Sequence, residues 1–325
     1  MKVKLFDESF LIRGTFTISR GSRTHAKVVV VELRQGEYVG RGECVPYARY
    51  DESIESVLAE LAPLAVKIEN GLTRQQMQSL LPAGAARNAL DCAYWDLECK
   101  KSGHRIWEYL SVAKPQPLIT AFTLSLDTPE KMKQAAIENA HRPLLKLKLA
   151  GEGDIERVAA VREGSPDARI IVDANEGWDE AQYLKFVPEL VKLGVEMIEQ
   201  PMPANNDSAL ARLPRPITLC ADESCHDRSS LPHIIGRYDM INIKTDKTGG
   251  LTEAIALKKE AEEAGLQVMV GCMLATSLAM APAFMVAQGV DVVDLDGPLL
   301  LAEDRESPIE FDDSLMKVFP ASLWG

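Results

Sequence analysis

The chain has 325 residues, 46% of them hydrophobic, so it can bury a large core in one large or two modest domains. Its 36 Lys and Arg residues against 48 Asp and Glu give a net charge of −12, which disfavours general binding to nucleic acid or anionic membranes. The N-terminal segment MKVKLFDESF lacks the pattern of a signal peptide, and no apolar run reaches the roughly 18 residues of a membrane span. We therefore expect a cytoplasmic protein.

The first third of the chain predicts an α+β unit. Strands in an antiparallel meander are expected at 3–10, 27–33 and Tyr38–Cys44. Between the first two lies a basic segment, SRGSR at 19–23, which is either a solvated turn or part of a site. Helices are expected at 52–69, 73–80 and 83–101. The segment KPQP at 114–117 is typical of a linker, so we expect a first domain over residues 1–115.

From Leu118 onward the pattern alternates between strands and helices. The predicted strands lie at 118–125, 144–149, 169–174, 195–200, 217–222, 239–244, 267–272 and 291–295. Eight such units favour a TIM-type barrel of parallel strands, here 116–300, somewhat shorter than the typical ~250 residues. An open doubly wound sheet is the alternative, but no GxGxxG or P-loop follows any strand.

Three carboxylates end three consecutive predicted strands. Asp173, Glu199 and Asp222 lie in VDAN, IEQP and ADES, and side chains at the carboxyl ends of barrel strands converge on one mouth. Three carboxylates without a metal would repel one another, whereas a hard divalent cation relieves that repulsion. All-oxygen ligation without histidine favours Mg²⁺ over zinc. The alternative for each residue is a helix cap or an ion-pair partner.

Lysines flank these acids in strand order. Lys146 and Lys148 are two residues apart and share one face of their strand, whereas Lys244 lies three strands beyond, nearly on the opposite wall. Adjacent cations lower each other's pKa, which is how a lysine becomes a base near neutral pH. A substrate at the mouth would then have an amine on each face. The alternative is a set of salt bridges at the barrel rim.

Taken together, these segments resemble a known family. KLK, VDAN, IEQP, ADES and NIKTDKTGG are similar to the muconate-lactonising subgroup of the enolase superfamily, in which a Lys or His base works with Mg²⁺. AGAARNALDCAYWDL, ADESCHDRSSL and DLDGP resemble the bacterial L-Ala-D/L-Glu epimerases over almost the whole chain. The resemblance implies a modified (β/α)7β barrel with an N-terminal α+β capping domain, completed by a C-terminal tail at 301–325.

The resemblance also implies roles for individual residues. Mg²⁺, one per subunit, would be held by Asp173, Glu199 and Asp222, and Lys148 and Lys244 would be the two acid/base catalysts. Lys146 would tune Lys148. The groups expected to orient ligands or lysines are Asn175, Glu223 and Asp246.

Substrate selection is expected from residues outside this stretch. In the dipeptide epimerases a DxD pair holds the α-ammonium of the substrate, and we carry that role to Asp294 and Asp296; the alternative is a pair of loop caps. Arg23, and less directly Arg20, could face a side-chain carboxylate from a cap over the mouth. Tyr50 could line the same lid.

The resemblance therefore implies an isomerase that interconverts L-Ala-D-Glu and L-Ala-L-Glu, or related dipeptides, in murein peptide recycling. Two alternatives use the same scaffold: o-succinylbenzoate synthesis and N-acylamino acid racemisation. A further alternative is a metal-dependent peptide-binding protein without turnover, against which Lys148 and Lys244 argue. Whether the chain forms a homo-oligomer is left open by the sequence.

Overall fold

The computed structural model describes residues 1–325. An antiparallel sheet of three strands begins the chain: β1 (Lys2–Ile18), β2 (Gly21–Gln35) and β3 (Tyr38–Cys44). The β1–β2 ladder runs to the pair Ile18 and Gly21, with an irregularity between Leu11 and Phe16. The predicted loop at 19–23 is therefore the tip of a long hairpin.

Helices follow, and one prediction was wrong. Their bounds are α1 Ile54–Leu61, α2 Leu64–Glu69, α3 Arg74–Met77, α4 Ala85–Ser102 and α5 Ile106–Tyr109. The helix predicted at 52–69 is two helices separated at Pro63, a residue without the backbone N–H that an uninterrupted helix requires. The helix predicted at 73–80 is shortened to α3, whereas α4 matches its prediction.

Helix α4 packs very closely on β3 because two glycines face it. A Cβ on Gly42 would lie 2.0 Å from the carbonyl oxygen of Ala89, and one on Gly40 would lie 2.3 Å from that of Ala93. We expect Gly42→Ala to lower the free energy of unfolding by about 1–3 kcal/mol through overpacking. Thermal unfolding measures this, with Gly36→Ala, which meets open space but has a φ of 62°, as the comparison. An unchanged melting temperature in Gly42→Ala would contradict the packing argument.

The second sheet has eight parallel strands. In chain order they are β5 Phe122–Leu124, β6 Leu144–Lys148, β7 Arg169–Asp173, β8 Val195–Glu199, β9 Thr218–Ala221, β10 Met240–Ile243, β11 Gln267–Gly271 and β12 Val292–Asp294, after a short β4 at Leu118–Ile119. The helices after them are α6 Pro129–Glu138, α7 Asp154–Gly164, α8 Glu180–Lys192, α9 Leu231–Ile234, α10 Thr245–Thr248, α11 Leu251–Glu263, α12 Ser277–Val286 and α13 Gly297–Leu300. The predicted barrel is confirmed, although only short 3₁₀ turns join β8 to β9.

The strand predicted at 118–125 is divided between two sheets. β4 pairs with β14 (Leu315–Met316) of the tail, which in turn pairs with β13 (Phe311–Asp312), and only β5 belongs to the barrel. The barrel closes beside this break, where the backbone N–H of Ala121 donates to the carbonyl oxygen of Val293 at 2.8 Å.

The end of the chain returns to the N-terminal unit. The indole of Trp324 donates to the carbonyl oxygen of Cys92, and the backbone of Gly325 accepts from the Arg105 guanidinium. Leu301 forms a bridge with Ile12 of β1. No helix in the structure combines the length and apolarity needed to cross a membrane.

Candidate active site and metal centre

The floor of the barrel is apolar and the layer above it is polar. Eight buried side chains form the apolar layer: Ala121, Leu144, Ile171, Met197, Cys220, Met240, Met269 and Val292. Inward-facing side chains of a strand recur every second residue. Two residues further along each strand lies the polar layer, which consists of seven polar side chains and one glycine, Gly271: the polar members are Thr123, Lys146, Asp173, Glu199, Asp222, Asn242 and Asp294.

The three predicted carboxylate ligands lie side by side in this polar layer. Asp173 is paired in register with Glu199, and all three carboxylates are almost completely buried. Burial and the charge of Asp173 raise the pKa of Glu199. Burial also disfavours the charged form of Asp173, but the ammonium groups of Lys148 and Lys146 hold its pKa below the usual range.

Lys148 and Lys244 each contact one of these acids, and Lys146 contacts two, with Asp173 the more distant at 3.7 Å. The Nζ atom of Lys148 lies 2.6 Å from Asp173, and that of Lys244 lies 2.6 Å from Asp222. Lys146 contacts Glu199 at 2.6 Å and also pairs with Asp294. The salt bridges at the barrel rim, which were the alternative interpretation of the lysines, are therefore present. The lysines and carboxylates also converge at the barrel mouth, as expected of a site.

The donor set fits Mg²⁺, whereas the side-chain arrangement in this structure is that of ion pairs. No group of three or more His, Cys, Asp or Glu side chains is disposed to hold a metal. The lysine ammonium groups lie against the carboxylate oxygens that a metal would use. Three buried carboxylates that destabilise one another's charge nonetheless provide the hard oxygen ligands that Mg²⁺ prefers.

The expected lowering of the pKa of Lys146 is wrong for this arrangement. Burial lowers the pKa of Lys146, but Asp294, Glu199 and Asp173 outweigh it and raise the value well above normal. The pKa of Lys244 is raised in the same way by Asp222 and Glu199. Carboxylates lie 2.6 Å from the ammonium groups of Lys146 and Lys244, so either lysine can lose its proton near neutral pH only when that negative charge is neutralised.

A single cavity brings both candidate bases together. Lys148 and Lys244 line it from the barrel, and Arg20, Arg23 and Tyr50 line it from the N-terminal unit. Asn175 and Glu223 also border it, and the Asn175 Oδ1 and Glu223 Oε2 atoms are buried there without hydrogen-bond partners. Buried polar atoms are normally paired, so unpaired ones at a cavity indicate a place for a polar ligand.

The three predicted orienting groups have different surroundings. The backbone N–H of Asn175 donates to Asp173 at 2.9 Å, which fixes a candidate ligand. Burial, followed by the charges of Asp222 and Asp173, raises the pKa of Glu223 to about 7. Asp246 does not contact the lysines or acids; its carboxylate accepts from Val45 and Asn88 of the N-terminal unit.

Arg20 and Arg23 lie at the mouth but are paired differently. Arg20 contacts Glu223 at 2.7 Å and Glu176 at 3.3 Å, and also donates to the carbonyl oxygen of Asn175. Arg23 makes no ion pair or hydrogen bond through its side chain; its guanidinium lies 6.0 Å from the centre of the Tyr47 ring. Arg23 is thus the cation at this cavity that is free to meet an anion.

Asp294 and Asp296 lie at the end of β12, as predicted. Asp294 Oδ2 contacts Lys146, whereas its Oδ1 atom is buried without a partner. Asp296 Oδ2 accepts the backbone N–H of Thr123 at 2.7 Å. Burial and the charge of Asp294 raise the pKa of Asp296 to about 6.

Sequence reasoning missed three residues of this centre. Lys247 is completely buried and donates to the side chain and carbonyl oxygen of Asp222, and Asn242 donates to Glu199 at 2.7 Å. Gln200 accepts the backbone N–H of Asp222. The two-residue period of MINIK could have identified Asn242, but nothing in the sequence indicates the contacts of Lys247.

Two protein-family models together match most of the chain. Residues 1–111 match the mandelate racemase/muconate lactonizing enzyme N-terminal domain, and residues 129–321 match the enolase C-terminal domain-like family. The chain belongs to the enolase superfamily, in its mandelate racemase and muconate lactonizing group.

Similar proteins include an epimerase and a racemase. The chain is 47% identical to the L-Ala-D/L-Glu epimerase of Escherichia coli K12 over 95% of this chain and 97% of that protein. It is 44% identical to an N-acetyl-D-glutamate racemase of Pseudoalteromonas, over 92% of this chain and 95% of the relative.

Two solved structures are also similar. An Agrobacterium tumefaciens enolase family member with homology to dipeptide epimerases, holding sodium and L-Ala-L-Glu, matches at a TM-score of 0.98 and 51% identity, covering 99% of both chains. A dipeptide epimerase from Enterococcus faecalis in complex with Mg and L-Leu-L-Tyr matches at 0.92 and 29% identity, covering 99% of this chain and 98% of that one.

Proposed function

We propose that this protein is a Mg²⁺-dependent dipeptide epimerase that interconverts L-Ala-D-Glu and L-Ala-L-Glu. The observation that carries the proposal is the single cavity lined by both Lys148 and Lys244, beside the carboxylates Asp173, Glu199 and Asp222. The 47% identity to the Escherichia coli epimerase supports the same substrate.

The chemistry follows from two amines that border one cavity. An α-proton beside a carboxylate is very weakly acidic, and Mg²⁺ held by Asp173, Glu199 and Asp222 would neutralise the negative charge that develops when this proton leaves. One lysine, as the neutral amine, takes the proton, and the other, as an ammonium, returns a proton to the opposite face. The α-carbon is inverted, and one proton has been lost and one gained.

Deuterium incorporation tests this proposal directly. L-Ala-L-Glu incubated with the protein and Mg²⁺ in D₂O should gain α-deuterium at Glu and yield L-Ala-D-Glu, as followed by NMR. The absence of both products across a panel of dipeptides would refute the proposal. Deuterium uptake without inversion would leave proton abstraction in place but contradict the two-base assignment.

Arg23 is proposed to recognise the Glu side chain because its guanidinium has no anionic partner at the cavity. We expect Arg23→Met to raise KM for L-Ala-L-Glu about 10–100-fold, the range of a lost charged hydrogen bond, with little effect on L-Ala-L-Leu. Steady-state kinetics with both dipeptides measure this. Arg49→Met, which removes an exposed cation paired with Glu176, is the control; equal losses in both variants would contradict a specific role for Arg23.

N-acetylglutamate racemisation is the second candidate, favoured by the 44% identical Pseudoalteromonas relative. Asp294 and Asp296 separate the two, because an acetylated nitrogen carries no ammonium for two carboxylates to bind. The buried, unpartnered Oδ1 atom of Asp294 favours the free amine.

We expect Asp296→Gly to reduce dipeptide turnover about tenfold or more while Mg²⁺ affinity is largely retained. Parallel assays with L-Ala-L-Glu and N-acetyl-L-glutamate, together with calorimetric Mg²⁺ titration, decide the role. Equal loss of turnover and Mg²⁺ affinity in Asp296→Gly would instead place Asp296 at the metal. If the wild-type protein turns over N-acetyl-L-glutamate faster than L-Ala-L-Glu, the second candidate is favoured.

The wider setting follows from this activity. We propose a small dipeptide as the substrate, and neither nucleic acid nor membrane as a partner. Recycling of murein peptides in the cytoplasm would supply this dipeptide. We further propose three parts of the chain: a capping domain at 1–115, a catalytic barrel at 116–300 and a tail at 301–325 that returns to the cap.

A further inference from the structure

The segment that begins at Lys244 is held in place by the N-terminal unit. Residues 244–252 leave the end of β10, form the single turn of α10 and enter α11. Eight hydrogen bonds join this segment to residues 45–95, and all but the one from Val45 involve side chains of the N-terminal unit.

These contacts are concentrated at one end of helix α4. Asn88 donates to Asp246 at 2.8 Å, and Arg87 donates to the carbonyl oxygen of Thr248 at 2.6 Å. Asp91 accepts from both the N–H and the hydroxyl of Thr252. Asn88 is 1% exposed and Asp91 is fully buried, so water does not replace these bonds.

The two glycines of KTGG make this close approach possible. Gly249 and Gly250 have φ values of 79° and 109°. A Cβ on Gly249 would lie 2.3 Å from the guanidinium of Arg87, and one on Gly250 would lie 2.5 Å from the Asp91 carboxylate. The backbone after Lys244 is therefore shaped to fit against α4.

The segment after Lys148 has no such support. The hydrogen bonds of Ala150 and Gly151 go to the carboxylate of Asp154, which Trp178 also contacts, and these residues all belong to the barrel. No hydrogen bond joins residues 148–154 to residues 1–115. The two candidate bases thus differ in what fixes their backbone.

We propose that Asn88 is a positioning residue for Lys244. Its hydrogen bond to Asp246 fixes the turn that follows Lys244, whereas residues of the barrel fix the segment that follows Lys148. The inference rests on the proposed function for its catalytic consequence, because each base would remove the proton of one diastereomer. Disturbing Asn88 should then slow proton removal from one diastereomer only.

Hydrogen–deuterium exchange of the backbone tests the structural part independently of activity. In Asn88→Ala the amides of 244–252 should exchange about tenfold faster or more, and those of 144–154 should be unchanged. Asp246→Ala should behave like Asn88→Ala, whereas Asp246→Asn keeps an acceptor for Val45 and Asn88 and should retain protection. Asp96→Asn is the matched control, because this buried carboxylate of α4 contacts Arg41, Lys100 and Gly325 instead.

Solvent-exchange kinetics test the catalytic part. Lys244→Ala identifies the diastereomer whose α-proton Lys244 removes, as the one whose exchange is lost. Asn88→Ala should slow exchange of that diastereomer about tenfold or more and leave the other within about twofold. Asp246→Ala should slow the same diastereomer, and Asp246→Asn, which keeps the acceptor for Asn88, should slow it less.

The outcomes separate the two proposals. If the wild-type protein exchanges neither diastereomer, the proposed function fails, and the amide measurements still decide whether Asn88 fixes the turn. If Asn88→Ala loosens 144–154 as much as 244–252, or loosens neither, the positioning role is refuted. Equal slowing of both diastereomers in a folded Asn88→Ala protein also refutes it.

Discussion

Replacing Lys148 or Lys244 with alanine is expected to lower epimerisation of L-Ala-L-Glu by roughly 10²–10⁴-fold, the usual contribution of a positioned acid or base. Both lysines line the same cavity, and each makes only one ion pair, with Asp173 or Asp222 respectively. An ammonium has three donors, so each of these lysines retains hydrogen-bonding capacity for a substrate. Removal of either leaves one face of the α-carbon without a proton donor or acceptor.

The measurement that distinguishes a catalyst from a structural cation is proton exchange. Each alanine variant should show this loss of inversion but retain α-deuterium uptake from a single diastereomer, and the two variants should retain opposite ones. Lys192→Ala, which removes a largely exposed lysine remote from the barrel mouth, should behave like the wild type. Undiminished epimerisation by either Lys148→Ala or Lys244→Ala would refute the two-base mechanism.

Removing the divalent cation is expected to lower epimerisation at least as much as replacing either lysine with alanine. The acids Asp173, Glu199 and Asp222 are buried together, and without a metal Asp173 and Asp222 pair with Lys148 and Lys244, the lysines that must act as bases. Chelation with EDTA should abolish deuterium uptake, and titration with Mg²⁺ should restore it. Glu199→Gln should weaken Mg²⁺ binding by more than about 100-fold, since even residues behind metal ligands contribute 10–100-fold.

Calorimetric titration of Mg²⁺ into the wild type and Glu199→Gln measures this affinity without reference to turnover. Glu176→Gln is a suitable control, because this carboxylate pairs with Arg20 and Arg49 at the mouth and is not one of the proposed ligands. Activity that survives exhaustive chelation would overturn the metal assignment, as would wild-type Mg²⁺ affinity in Glu199→Gln.

Much of the barrel and its polar layer could be predicted because both depend on local periodicity. Strands recurred at nearly constant spacing, and inward-facing positions are two residues apart, so a charged residue at a strand end indicates the mouth directly. The same rule applied to MINIK places Asn242 beside Lys244. Single residues also set local boundaries: the side chain of Thr128 caps α6, and Pro129 occupies its first position.

What the sequence could not show were contacts between parts distant in the chain. Lys247 resembles an ordinary helix lysine, and only the fold places its ammonium on Asp222. Asp246 sits in the motif of the catalytic lysine, yet its partners come from residues about 160–200 positions earlier. The pKa direction of Lys146 likewise depends on which of its neighbours is nearest, and periodicity identifies neighbours without giving their distances.

The unequal pairing of Arg20 and Arg23 bears on how this scaffold could be redesigned. Arg20 ties the hairpin tip to Glu223, Glu176 and the Asn175 backbone, whereas Arg23, three residues away, carries none of these links. The residue that holds the hairpin down is therefore separate from the one proposed to recognise the substrate. Preference for a new side chain could be selected at position 23 alone, without rebuilding the contacts that close the site.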